Sequence, residues 1–226
     1  MELIDVKVYD FVRSYLLPVS VYVFFIGILY RFFRVIILGL PHDRSKPKGH
    51  PFLKAVEKVT FKPTQAWRFF GEVFAHRGIQ YVGGFLFHIG FLGLTFFVPQ
   101  HAFLWKKIIG FEFPYMPQIV SDILAYAALG SLVALTVHRI FNPVLKLLTG
   151  SDEYIANTLI GIVIFTGLLA NNWAGGGNYV WLVTLHMLSA ALLIIYIPFS
   201  RLSHFVYYFV SVFYYGWKVG RRGVSF

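Results

Sequence analysis

Five long apolar stretches run along the chain, separated by shorter polar segments. Their approximate bounds are residues 15–33, 79–98, 119–137, 155–170 and 179–200. A helix needs about 20 apolar residues to cross the hydrocarbon core of a bilayer, and the five stretches are close to that length. Lipid offers the backbone no hydrogen-bond partners, so such spans fold as helices. The pattern predicts an all-α membrane protein, a five-transmembrane-helix bundle in which residues 1–226 form a single domain.

Composition supports lipid as the solvent. Hydrophobic residues make up 58% of the 226 residues and charged residues 13%, which is about half the charge of an ordinary soluble domain. The net charge of +10 does not indicate nucleic-acid binding, because the basic residues collect in particular loops. With no cysteine in the chain, zinc–thiolate sites and cysteine-ligated iron–sulfur clusters are excluded within it.

The basic residues also predict the orientation of the spans. Loops that carry many lysines and arginines stay in the cytoplasm. One side of the predicted bundle has Lys7, Arg13, Lys106 and Lys107; the other has Arg44, Lys46, Lys48, Lys54, Lys58, Lys62, Arg68, Arg77, Arg139, Lys146, Arg201, Lys218, Arg221 and Arg222. The N-terminus is therefore predicted outside and the C-terminus in the cytoplasm, as an odd number of spans requires.

Two segments outside the spans have roles that the sequence leaves open. The basic loop between spans one and two, about 40 residues long, suits either docking of a soluble partner or contact with lipid headgroups. After Arg201 the chain continues as HFVYYFVSVFYYGW, which we interpret as the fifth helix emerging along the interface, where tyrosine and tryptophan prefer to lie.

Four histidines in or near spans two and five are the candidate chemistry. His186 and His204 are 18 residues apart, about five helical turns, and would share one face of a continuous helix. His88 and His101 occupy span two and the segment just after it. Because spans two and five run antiparallel, His88 would lie at the level of His204, and His101 at the level of His186. Each pair could ligate one haem b between facing helices.

Other interpretations of these histidines remain open. An ionisable residue in a span is a functional candidate by default, and the histidines could instead relay protons in a transporter or merely pack in a passive anchor. The spacing is imperfect, since 13 residues rotate His101 off the face of His88 on an ideal helix. Pro99 could bend the helix between them. His76 and His138, at the cytoplasmic ends of spans two and three, are alternative ligands.

Several segments resemble one known family. LFHIGFLG, residues 86–93, is similar to the second span of the gamma subunit of respiratory nitrate reductase, a membrane cytochrome b that oxidises quinol. IPFSRLSH, residues 197–204, and the His186 segment 18 residues before His204 resemble that family's fifth span. HRIFNPVLKLLTGSDE, residues 138–153, resembles its basic loop between spans three and four.

The resemblance implies specific ligands. It implies His88 and His204 as the axial pair of an inner haem nearer the cytoplasm, and His186 as one ligand of an outer haem. The chain departs from the family at the second histidine of span two, where it has Val98. His101, three residues later, is the nearby substitute, and it completes the predicted set of haem-iron ligands: His88, His204, His186 and His101.

The function implied is electron transfer between the quinone pool and a cytoplasmic-side iron–sulfur partner through haem b. We expect at least one haem and favour two. The chain would be the quinol-oxidising subunit of an oxidoreductase complex in a prokaryotic cytoplasmic membrane, with a terminal reductase subunit as a further partner. The relatives of this family serve several complexes, so the sequence does not identify the terminal electron acceptor. Two alternative functions also stay open: a proton-conducting transporter and a passive membrane anchor.

Overall fold

The computed structural model describes the backbone of residues 3–38, 46–60, 63–173 and 178–224, and the side chains in these ranges except 3–5, 36, 38 and 63–77. The regular elements in these ranges are helical. They are α1 (Leu3–Phe11), α2 (Leu17–Leu38), α3 (Pro51–Val59), α4 (Pro63–Phe97), α5 (Pro99–Ile109), α6 (Gln118–Phe141), α7 (Pro143–Leu148), α8 (Ser151–Asn172), α9 (Tyr179–Tyr196) and α10 (His204–Arg221). A π-helical turn, Val12–Leu16, joins α1 to α2.

Five of the described helical segments are long and apolar enough to cross a membrane. They are Val6–Val35, Gly78–Phe97, Gln118–Phe141, Ser151–Asn172 and Tyr179–Phe199. The prediction of five helical spans is confirmed, with bounds that differ by a few residues, except at the first span, which begins nine residues earlier. The outward orientation of the N-terminus stays a prediction. The chain divides into two compact units, residues 1–20 with 73–193 and residues 21–72 with 194–226.

In the first unit, glycines let α4 approach α6. A Cβ atom added at Gly90 would lie 2.7 Å from the carbonyl oxygen of Leu124 and 2.8 Å from Cβ of Ala128. A Cβ at Gly83 would lie 3.1 Å from the side chain of Leu135. Close backbone approach through small residues is the usual way helices associate in lipid. Gly84 is different, because a Cβ there would meet no described atom within 4 Å.

This close approach gives a first prediction. We expect Gly90→Ala to destabilise the protein by about 1–3 kcal/mol, because the added methyl group overpacks a backbone contact. Gly84→Ala is the matched control in the same helix, and it should not destabilise, since alanine has the better helix propensity. The measurement is the thermal midpoint of each purified variant in detergent. Equal midpoints for the two variants would contradict the described packing of α4 against α6.

The second unit contains a tight pairing of α3 with α10. A Cβ at Gly216 would lie 2.7 Å from Cα of Ala55, and one at Gly220 would lie 2.6 Å from Cβ of Lys54. The backbone N–H of Lys48 donates to the carbonyl oxygen of Arg221 at 2.8 Å. The helix α3 lies in the basic loop between spans one and two, in which the sequence predicts no further span. Part of that loop is therefore an ordered helix anchored on α10.

The prediction that the fifth helix continues beyond Arg201 is wrong. The helix α9 ends at Tyr196, and two short 3-10 turns, Ile197–Phe199 and Arg201–Ser203, precede α10. Pro198 has no N–H to donate and stops the α-helical bonding pattern. Ser200 between the turns is extended, and its Oγ accepts from the N–H of Leu202 at 3.2 Å. The count of five uninterrupted turns from His186 to His204 therefore does not apply.

Candidate functional site

A break between α4 and α5 positions His101. The helix α4 ends at Phe97, and Val98 has an extended backbone with ψ of 133°. Pro99 then occupies the first turn of α5, where its missing N–H costs nothing. His101 follows in the same turn, and its Nδ1 lies 2.8 Å from the carbonyl oxygen of Leu94, seven residues earlier. The histidine thus bonds back across the break to the last turn of α4.

His186 is positioned by α8. On α9, its Nδ1 lies 3.1 Å from the carbonyl oxygen of Val163 and 3.3 Å from Oγ1 of Thr166. Gly167 makes room for the ring, because a Cβ at that position would lie 2.9 Å from Cε1 of His186. The His186 ring therefore packs directly against α8, because the carbonyl oxygen of Val163 accepts its hydrogen bond and Gly167 has no side chain to displace it.

The two rings lie together in the first unit. The ring centroids of His101 and His186 are 5.8 Å apart and their planes differ by 18°. In both residues Nδ1 contacts a backbone carbonyl oxygen, so the proton lies on Nδ1 and the lone pair on Nε2. Burial lowers the pKa of His101, the hydrogen bond to Leu94 opposing this in part, so His101 is neutral at neutral pH. Histidines that bind a metal through one ring nitrogen commonly donate a hydrogen bond from the other, as Nδ1 does in both of these residues.

The distance between the ring centroids is close to that of two imidazoles bound in line to one metal. An imidazole nitrogen binds a first-row transition metal at about 2.0 Å. Two such bonds in line place the ring centroids roughly 6 Å apart, because each centroid lies about 1 Å behind its nitrogen. The described side chains include no metal-binding group of three or more His, Cys, Asp or Glu residues. A pair of histidines is nevertheless the complete protein contribution to a bis-histidine haem, whose macrocycle supplies the other ligands.

A cavity of about 160 Å³ borders the pair. Its walls come from α4, α5, α6, α8 and α9 and are largely apolar, with both histidines, Asp122, Asn171 and Tyr179 among the polar or amphipathic contributors. Val98 also lines this cavity. Val98 and His101 therefore line the same cavity.

The other two predicted ligands lie in different units. His88 is an exposed residue of the first unit, with Nδ1 2.6 Å from the carbonyl oxygen of Gly84. His204 is an exposed residue of the second unit, with Nδ1 3.2 Å from the carbonyl oxygen of Arg201. Both have the same Nδ1–carbonyl contact as the outer pair. The pairing of His88 with His204 stays a prediction.

Other residues considered from the sequence have different surroundings. Lys106 forms an ion pair with Glu112, which also accepts from Tyr115, and Lys107 lies 4.6 Å from the ring centroid of Phe103. The hydrogen bond from Lys106 lowers the pKa of Glu112. Neither lysine is part of the cavity wall in the described part of the chain.

One of the two alternative histidine ligands has a described side chain. His138 is in the last turn of α6. The side chain of His76 lies outside the described residues.

The residues that hold the pair do not follow from the sequence. Leu94 and Val163 act through backbone carbonyls, which no side-chain pattern reveals. Gly167 is an ordinary helix glycine in sequence. A span histidine facing a glycine on a neighbouring helix is recognisable only once the helices are packed.

Comparisons with known proteins give one relative and no assignment. A protein of Nitratidesulfovibrio vulgaris is 29% identical over 214 residues, a match that covers 90% of this chain and 89% of the relative. Its name, "Protein", states no function. No family model matches the chain, and no solved structure matches it either. The relative spans nearly the whole chain, so the similarity is to the full five-span protein and not to one segment.

The contact of Gly167 with His186 gives a second prediction. We expect Gly167→Ala to push the His186 ring by several tenths of an ångström and, if His186 ligates a haem as the sequence predicts, to change the absorption or EPR signal of that haem. Gly161→Ala is the matched control on α8, because a Cβ there would be 3.4 Å from Leu132, an ordinary contact. Identical spectra for Gly167→Ala and the parent would show that His186 does not ligate the chromophore.

Proposed function

We propose that this protein is a membrane cytochrome b subunit that transfers electrons between the quinone pool and an iron–sulfur partner on the cytoplasmic side. The observation that carries the proposal is the pairing of His101 with His186 at 5.8 Å, each with Nδ1 at a backbone carbonyl. A histidine in a membrane span is costly, so His186 is a functional candidate by default. Its pairing with His101 of another helix suits an axial ligand pair better than a proton relay.

Four histidines would hold two haems. His101 and His186 would hold an outer haem, and His88 and His204 an inner haem. Haem supplies one-electron redox chemistry, while the protein fixes the axial ligands and the surrounding dielectric. The backbone acceptors Leu94 and Val163 keep both outer rings in the tautomer that presents Nε2.

The two faces of the membrane would have different roles in this proposal. Quinol would bind at the cavity beside the outer pair, and its protons would leave on the outside. The basic surface of α3 and α10, with Lys54 and Lys218 among its cations, would face the cytoplasm of a prokaryotic cell. An iron–sulfur subunit of the nitrate-reductase type, linked to a terminal reductase, would receive the electrons there.

Topology gives a third prediction. Reporter fusions or protease protection should place the segment around Lys54 and the tail after Lys218 on the same, cytoplasmic side. The expectation follows from the distribution of lysine and arginine among the loops. A reporter after Lys107 is the internal control and should report the opposite side. If the Lys54 segment and the tail lie on opposite sides of the membrane, the orientation and the count of spans are both wrong.

The function is tested by adding a quinol to the protein in membranes. Membranes that contain the protein should show reduced b-type haem bands after addition of a naphthoquinol, and the bands should not form in membranes without the protein. A transporter would move protons across liposomes without haem bands, and a passive anchor would do neither. Absence of haem bands even with dithionite would overturn the proposal.

A further inference from the structure

A carboxylate lies at the same cavity as the outer histidine pair. Asp122 is the fifth residue of α6, inside the span Gln118–Phe141, and its side chain lines the cavity together with His101 and His186. An acidic residue in a span is costly, so its retention calls for a function or a strong structural reason. The rest of the cavity wall is mostly apolar.

Two amides orient this carboxylate from the end of α8. Asn171 donates to Oδ1 of Asp122 at 3.3 Å, and Asn172 donates to the same oxygen at 3.1 Å. Asn172 also bonds the carbonyl oxygen of Leu168 at 3.0 Å, which fixes its own position. In the described part of the chain no hydrogen bond to Oδ2 is present. The carboxylate is therefore held through Oδ1, and Oδ2 is left available as a hydrogen-bond acceptor.

We propose that Asp122 accepts the hydroxyl proton of a quinol whose ring occupies this cavity. The inference rests on the proposed function and adds the residue that takes the proton. The apolar wall suits a quinol ring, Oδ2 suits its hydroxyl group, and the histidine pair borders the same space. A lysine or arginine that would neutralise the carboxylate is not part of the described cavity wall.

Oxidation of a quinol to a quinone removes two protons and two electrons. The quinol O–H bond breaks and its proton forms a bond to Oδ2 of Asp122, while the electrons leave one at a time to oxidised haem b, the oxidant in the proposed function. Asp122 passes that proton to the outer aqueous phase and is then ready for the second.

A purely structural role for Asp122 makes a different prediction. The carboxylate also links α6 to the end of α8 through the two asparagines. If that link were its whole role, removing the two amides would have the same effect as removing the charge. If Asp122 accepts a proton, the charge is essential and the amides only orient it.

The experiment measures haem reduction in the full-length protein in membranes. A naphthoquinol is mixed with the oxidised protein, and the rate at which the haem bands appear is compared with the total haem that dithionite reduces. We expect Asp122→Asn to keep the dithionite-reducible haem and to slow quinol-driven reduction about 100-fold, the lower range for loss of a general base. Asp122→Glu should recover at least a tenth of the parent rate, because it restores a carboxylate.

Two further variants separate the interpretations. Asp152→Asn is the matched control, since it makes the same change in the first turn of α8, about 30 Å along the helix from Asn172. It should reduce at the parent rate. The double variant Asn171→Ala, Asn172→Ala keeps the carboxylate and should lose less than 10-fold in rate.

The outcomes are distinguishable. Reduction of Asp122→Asn at the parent rate would overturn the inference and leave the proposed function intact. Loss of rate in the double variant as large as in Asp122→Asn would also overturn it, and this comparison still decides if Asp122→Asn loses haem. A parent protein that lacks haem, or whose haem no quinol reduces, would overturn the proposed function and the inference together.

Discussion

Replacing His186 with alanine is expected to lower the haem content of the purified protein from two per chain to one. The ring of His186 is one of two that lie 5.8 Å apart, and an alanine side chain has no atom that can bind iron. His101→Ala should remove the same haem. The measurement is haem per chain together with the reduced absorption spectrum of each variant.

The result has a matched control and a clear contrary outcome. His138→Ala removes a histidine from the last turn of α6, outside the described cavity wall, and should keep both haems. Loss of different signals in His101→Ala and His186→Ala would show that the two residues do not share a cofactor. Retention of two haems with unchanged ligation in either variant would refute the outer pair.

The second large effect is expected at the inner pair. His88→Ala and His204→Ala should each remove the inner haem, while quinol should still reduce the outer haem. Electron delivery to the cytoplasmic side should fall to background, because the inner haem is the proposed link between the outer site and the partner. The measurement combines haem content with the rate at which quinol reduces a soluble acceptor added to the cytoplasmic face of membrane vesicles.

The contrary outcome for the inner pair is equally specific. If the two variants lose different signals, His88 and His204 do not ligate the same iron. If both keep two haems, these histidines have another role, such as packing or hydrogen bonding at the membrane interface. In either case the outer pair is unaffected, because its prediction rests on separate contacts.

The spans were predictable because lipid imposes a simple pattern. About 20 apolar residues are needed for each crossing, and the five predicted stretches correspond to five described helical segments. The helix α3 could also have been found, since Pro51 opens a segment, FLKAVEKV, in which apolar and charged residues alternate at helical spacing. The packing of this short helix against α10 could not be predicted from composition, because it depends on the close approach that Gly216 and Gly220 allow.

Proline explains both the wrong prediction of one continuous fifth helix and the distortion that the sequence indicated after span two. At Pro198 an apolar run suggested one helix, but the missing N–H ended it, and the chain resumed as α10. At Pro99 the sequence indicated a distortion, and the structure has a break there: Val98 is extended and a new helix, α5, begins at Pro99. An ideal helix would have rotated His101 away from the His88 face, so helix periodicity alone could not have brought it to His186.

The polar contacts around the cavity could not be predicted, because they join distant parts of the chain. Asp122 and Asn171 are 49 residues apart in sequence, and His186 and the carbonyl oxygen of Val163 are 23 apart. Nothing in the local sequence of any of these residues specifies its partner. The packing of α6 against α8 decides the first contact, and the packing of α8 against α9 decides the second.

A pyridine haemochrome assay on the purified protein decides whether the histidines of this membrane protein ligate haem. With the protein concentration measured independently, we expect two haems b per chain and a low-spin, bis-histidine signal in the oxidised protein. Purified, folded protein that contains no haem after expression in a haem-replete host would show that the histidines do not ligate haem.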